Sequence, residues 1–219
     1  MDFEENLAQR YINQGDPTGW FEVLYAQAQG DERAIPWESG QPHPTFLEWI
    51  AENGFKADRP GRKALVVACG LGHDAEALAR LGFAVTAFDI APTAIAWCRQ
   101  RFPTSAADYQ VADLFTPPQA WLAAFDFVLD VYTIQALPPF MHEKTAAAIA
   151  RFVAPGGTLL ASYLGRDPDR VLSYGPPWPL AKFELAWFEK YGLTEVAFED
   201  YEDTVGELCV RRFRAEYRA

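Results

Sequence analysis

The chain has 219 residues, 50% hydrophobic and 22% charged, which is the profile of a globular protein with room for one sizeable core and excludes a disordered chain. With 19 Lys and Arg against 30 Asp and Glu, the formal net charge is −11, a field that repels phosphate backbones and argues against nucleic acid as a partner, although Arg211, Arg212 and Arg214 form a local basic cluster. No charged-then-apolar leader occupies Met1–Arg10 and no apolar run is long enough to span a bilayer; Cys69, Cys98 and Cys209 are odd in number and lack metal-ligand spacing, so we expect reduced thiols, a cytoplasmic protein and no metal.

Residues 1–60 are rich in aromatics and turn formers. Thr18–Gln29 and Thr45–Asn53 are predicted helices, with Pro17 and Pro44 near their starts. Between them Ile35–Pro44 is a proline-rich loop, and Ala57–Arg62 is a polar connector. Too few residues precede that connector for an independent core, so 1–60 is expected as a cap segment of the same domain as 61–219.

Lys63–Cys69 reads as a buried parallel strand. Gly70 and Gly72 let the backbone turn tightly and approach a ligand with no Cβ in the way. Asp74 suits the first turn of the following helix, and Ala75, Leu78, Ala79 and Gly82 give that helix a small-residue face. Phe83–Phe88 is the next strand and ends in Asp89, which lies 19 residues after Gly70, the spacing of an acid that holds a ribose diol.

Further elements follow in alternation. Pro92–Arg101 is a helix, Tyr109–Ala112 a strand leading to Asp113 and Leu114, and Phe125–Val131 a strand containing Asp126 and Asp130. His142–Val153 is a helix, Pro155-Gly156-Gly157 a turn into the strand Thr158–Tyr163, and Lys182–Tyr191 a helix. The strands Thr194–Tyr201 and Leu208–Tyr217 are joined through Glu202–Glu207, a connection so short that the pair must be antiparallel. The predicted architecture is therefore α/β: a doubly wound, mostly parallel seven-stranded sheet with an antiparallel C-terminal hairpin.

Gly70-x-Gly72, Asp89, Asp113, the Pro-Gly-Gly segment and the terminal hairpin together resemble a class I S-adenosylmethionine-dependent methyltransferase, with its Rossmann-like fold, over roughly residues 60–217. The resemblance implies S-adenosylmethionine as cofactor, S-adenosylhomocysteine as product and a small-molecule acceptor, in a monomer or homodimer. It places Ala68, Gly70 and Gly72 under the methionine end, Asp89 and Ile90 at the ribose, and Asp113 with Leu114 at the adenine. Asp130 falls at the carboxyl end of its strand, where ligands of open sheets bind. Tyr132, Gln135 and Trp178 are expected around the acceptor; no catalytic base is assigned.

A narrower likeness lies at the front. Trp20-Phe21…Tyr25…Ile35-Pro36-Trp37…Gly40…Pro42-His43-Pro44, with Ala136-Leu137-Pro138-Pro139 and Gly175-Pro176-Pro177-Trp178, resembles the thiopurine S-methyltransferase-like group, whose wider circle takes thiols, halides and metalloids. It implies that Trp20 and Trp37 fold over the cofactor. The chain departs from the pattern at Val67-Ala68 and at His142, where an arginine is common. Ala68 also stands where superfamily members carry an acid for the cofactor's amino group, so another group must do that work. Two other readings use the same residues: a nicotinamide-dependent oxidoreductase on the G-x-G-x-x-A turn, and a non-catalytic cofactor-binding protein.

Overall fold

The computed structural model describes residues 3–58, 61–170, 172, 175–205 and 208–219. Met1, Asp2, Arg59 and Pro60 of the leader and connector, and Gly206 and Glu207 of the hairpin connection, lie outside the described residues.

Seven strands form one sheet: β1 (Lys63–Val67), β2 (Ala84–Asp89), β3 (Asp108–Val111), β4 (Phe125–Val131), β5 (Val153–Leu164), β6 (Thr194–Val205) and β7 (Leu208–Arg218). Their order is β3-β2-β1-β4-β5-β7-β6. The first five pair in parallel, and β7 pairs antiparallel with both β5 and β6. The expected fold class is therefore the observed one.

Strand alternation sorts side chains onto two faces. Ala64, Val66, Ala87, Phe127 and Leu129 pack beneath α3 (Pro44–Asn53), α4 (His73–Arg80) and α5 (Pro92–Arg101). Leu65, Val67, Phe88, Val128 and Ala161 pack against α6 (His142–Ala150) and α7 (Lys182–Lys190). A third cluster joins α1 (Phe3–Asn13) and α2 (Gly19–Ala28) to the glycine turn and the start of α5: Leu7, Trp20, Leu24, Tyr25 and Ile35 bury against Leu71, Ala91 and Ala94. Glu22 fixes this docking, accepting from the Thr93 backbone N–H at 3.0 Å and from its hydroxyl at 2.6 Å. Those bonds satisfy donors at the start of α5 that the helix itself leaves unpaired.

Four readings of the sequence need correction. Helix α1 is an element additional to those read from the sequence, although Phe3, Leu7, Ala8, Tyr11 and Ile12 recur there at helical spacing. The helix from His142 stops at Ala150 because Val153 already bridges Phe125. Pro155-Gly156-Gly157 lies within β5, at an irregular register, and does not precede the strand. Strand β6 continues past Tyr201, pairing Glu202 with Arg211 and Asp203 with Val210. A charge pair supports this extension, Arg212 with Asp203 at 2.9 Å, next to the pair of Arg211 with Asp200 at 2.7 Å inside the predicted strand. The basic cluster is thus neutralised in place, with Arg214 held by Glu52 and by Glu199, the latter at 2.7 Å.

Candidate functional site

A cavity of about 530 Å³ opens beyond the carboxyl ends of β1–β4. It sits where strand order reverses between β1 and β4, the place at which open α/β sheets bind ligands.

The floor is the turn after β1. Ala68, Gly70 and Gly72 have φ of +46°, +52° and +86°. At Ala68 this left-handed backbone costs about 1–2 kcal/mol, strain of the kind that collects at functional sites. A Cβ on Gly70 would lie 3.3 Å from the Tyr25 hydroxyl; one on Gly72 would lie 2.7 Å from that of Tyr109. Three bonds pin the turn. The Cys69 N–H donates to Phe88 O at 2.8 Å, the Cys98 thiol to Gly70 O at 3.2 Å, and the Gly70 N–H to Asp89 Oδ2 at 3.0 Å.

Asp89 takes the Ala91 N–H on its other oxygen at 2.9 Å. Burial pushes its pKa up to about 6 against the pull of those N–H donors. Ile90 lines the cavity beside it. Asp113 and Leu114, after β3, line the next part of the wall. Asp113 accepts from the Phe115 N–H at 2.8 Å and the Thr116 hydroxyl at 3.1 Å, which fixes its carboxylate.

The roof is aromatic. Trp20, Phe21, Tyr25 and Trp37 all line the cavity. Trp37 meets Trp20 edge-on at 5.9 Å, and its indole N–H donates to the Tyr25 hydroxyl at 3.1 Å. Tyr25 and Phe21 belong to this roof although the sequence singled out only the tryptophans.

The far wall lies beyond β4. Tyr132 has φ +65° and accepts a short hydrogen bond from Arg212. His43 packs edge-on against the Tyr132 ring at 4.8 Å, and its Nδ1 pairs with Thr45 Oγ1 at 2.7 Å. Burial, and then the Arg212 charge, hold the His43 pKa down at about 4. Gln135 lines the cavity while its Oε1 accepts from the Leu164 N–H at 2.6 Å. His43 and Arg212 had no local pattern to betray them: one follows a proline loop and the other lies on the last strand.

Two expected residues stand behind the wall. Asp130 alternates with Leu129 and points to the α6/α7 face, where the Tyr163 hydroxyl donates to it. Trp178 is buried against Gly175 and its backbone N–H donates to Gln135 O at 2.7 Å, so Pro176 and Pro177 line the cavity in its stead.

Among the described residues, the lining holds Glu38, Asp74, Asp89 and Asp113 but no Lys or Arg. Such a wall suits a ligand bearing a sulfonium and an ammonium, and an aromatic roof adds attraction for the sulfonium. A dinucleotide would bring its pyrophosphate into the same acidic field. The residues present therefore fit S-adenosylmethionine, and the fold with this site is of the nucleoside-cofactor-binding kind.

Comparison with known proteins agrees. A methyltransferase domain family matches residues 64–157. Over 216 residues the chain is 28% identical to a probable thiol methyltransferase 2 of Arabidopsis thaliana, covering 96% of this chain and 86% of the relative. It is 33% identical over 129 residues to a ubiquinone biosynthesis O-methyltransferase of Xanthomonas campestris pv. campestris, covering 58% of this chain and about half (52%) of that relative. The N-methyltransferase NodS of Bradyrhizobium japonicum WM9, solved with S-adenosyl-L-homocysteine, shares the fold at a TM-score of 0.66 and 19% identity, covering 89% of this chain and 98% of that one. Residues 64–157 thus match the methyltransferase domain, and the chain has the fold of class I S-adenosylmethionine-dependent methyltransferases. Among the described residues, no helix is long and apolar enough to cross a membrane.

Proposed function

We propose that the protein transfers the methyl group of S-adenosylmethionine to a small, soft nucleophile, a thiol or a close chemical relative, in the cytoplasm. The cofactor supplies an electrophilic methyl group when bound. Asp89 with Ile90 binds the ribose, and Asp113 with Leu114 binds the adenine. Ala68, Gly70 and Gly72 form the floor. Residues 1–60 act as a cap of the same domain, carrying Trp20 and Trp37 over the cofactor.

The acceptor end carries this reading. Tyr132 is tied to Arg212, and the neighbouring imidazole of His43 has a pKa of about 4, too low for an effective base at neutral pH. A hydroxyl or amine acceptor needs such a base; a thiol ionises near neutral pH and needs little help. Holding an ionised acceptor in line with the methyl group then supplies most of the rate. The likeness to a probable plant thiol methyltransferase over 96% of the chain supports the same choice, as does the aromatic segment that resembles the thiopurine S-methyltransferase-like group.

The test is methyl transfer from labelled S-adenosylmethionine to matched panels of thiols, phenols and amines. Turnover concentrated on the thiols supports the proposal. Turnover confined to phenols or amines defeats the thiol assignment, and no turnover on any panel favours a cofactor-binding protein without catalysis.

A further inference from the structure

The acid that superfamily members place before the glycine turn is absent here, since Ala68 occupies its position. Ala68 has no side-chain acceptor, yet the α-ammonium of the cofactor must find one or lose much of its binding. The cavity wall contains four carboxylates, and their bonds divide them into two kinds. Asp89 and Asp113 each have both oxygens engaged, by backbone N–H groups or a hydroxyl. Asp74 accepts only the His43 backbone N–H, at Oδ1 and 2.7 Å, and its Oδ2 takes no bond from the described residues. Glu38 likewise receives the Ser39 and Gly40 N–H groups at Oε1, at 2.9 and 2.7 Å, with no described bond to Oε2.

Position agrees with bonding. Along the sheet the order is β3, β2, β1, β4. Asp113 follows β3 and Asp89 ends β2, so a cofactor with adenine and ribose there carries its amino-acid end above β1. Asp74 stands at the start of α4, directly after the turn that leaves β1. Glu38 lines the same cavity from the cap loop, and its charge adds to the larger effect of burial in raising the Asp74 pKa. Two carboxylates held together in a half-buried cavity repel each other unless a cation lies between them. His73 lies 3.4 Å from Glu38 Oε1 and pairs with Arg101 at 2.7 Å, and makes no ion pair with Asp74 among the described residues.

We propose that Asp74, with Glu38 across from it, holds the α-ammonium of the cofactor and so replaces the acid missing at Ala68. Asp74 comes from the core and Glu38 from the cap, so the ammonium also ties the cap loop to the turn.

The experiment is calorimetric titration of the parent and Asp74→Asn with three ligands: S-adenosylhomocysteine, its deaminated analogue, and 5′-methylthioadenosine. Asparagine keeps the acceptor for the His43 N–H and loses only the charge. The parent should prefer S-adenosylhomocysteine to the deaminated analogue, and Asp74→Asn should lose that preference, weakening S-adenosylhomocysteine by about tenfold or more while binding the other two as the parent does. Equal S-adenosylhomocysteine affinity in the two proteins overturns the proposal. So does a loss shared by all three ligands, which means a structural role. Should Asp74→Asn fail to fold, Glu38→Gln is read against the same three ligands, with the same pattern required.

Discussion

Asp89 joins two tasks in one carboxylate. It fastens the turn through the Gly70 and Ala91 N–H groups, and it ends β2 facing the cavity. Asp89→Asn retains one acceptor for the backbone and removes the charge. Its affinity for S-adenosylhomocysteine should fall about tenfold or more, since bonds to a charged group carry about 1.5–3 kcal/mol. Unchanged affinity in calorimetry removes Asp89 from the ribose site. Tyr132 acts at the other end. Tyr132→Phe should lower the rate with thiols and leave S-adenosylhomocysteine affinity within about twofold of the parent, since the bond it removes, from Arg212, lies on the acceptor side of the cavity. A fall in cofactor affinity with unchanged turnover would move Tyr132 out of the acceptor pocket. At this scale the sequence reveals residues that belong to one short motif. Gly70, Gly72 and Asp89 are spaced by one strand-turn-helix-strand unit, so their meeting follows from local geometry. His43, Asp74 and Arg212 meet only because α3, α4 and β7 are brought together by the whole sheet. Asp74 read as an ordinary acid in a helix's first turn, and its second oxygen is visible only in the fold.

The elements show which local signals were strong enough. β4 and α5 have the predicted limits, because an apolar run and a Pro-led helix each declare both ends. β6 runs past Tyr201 because Asp203 is held by the cross-strand Arg212, which hydropathy does not register. The joint between α4 and β3 is set by space. Gly72 has φ +86°, and a Cβ there would sit 2.7 Å from the Tyr109 hydroxyl. Gly72→Ala should destabilise the protein by about 2–4 kcal/mol from backbone strain and overpacking together. Adding Tyr109→Phe should recover only the steric part. A Gly72→Ala melting temperature equal to the parent's contradicts this account of the turn. Docking of the cap depends on Glu22, the external acceptor for the start of α5. Glu22→Ala should cost about 0.5–2 kcal/mol, the range for loss of a helix cap, and should weaken S-adenosylhomocysteine binding through the displaced roof.

For the molecule as a whole, burial of acids sets a pH signature. Asp130 is fully buried beneath the cavity and its pKa is raised by burial to about 6, from 3.8 in the unfolded chain. Between those values the folded state holds a proton that the unfolded state has released. Its contribution is therefore complete below about pH 4 and lost as pH rises through about 6. Asp130→Asn removes that loss, so the variant should gain on the parent by up to about 3 kcal/mol between pH 4 and pH 7. A pH-independent difference in denaturant unfolding would mean that Asp130 ionises without penalty. The doubly wound order was legible in the alternation of strands and helices, and the antiparallel hairpin in its short connection. The cavity's acidic wall was not, because acids from residues 38, 74, 89 and 113 carry no common period.

That wall and the aromatic roof make cofactor choice the most direct test. Calorimetric titration of the purified protein with S-adenosylhomocysteine and, separately, with NAD should give micromolar binding of the first and none of the second. Binding of NAD alone would contradict the account at its centre.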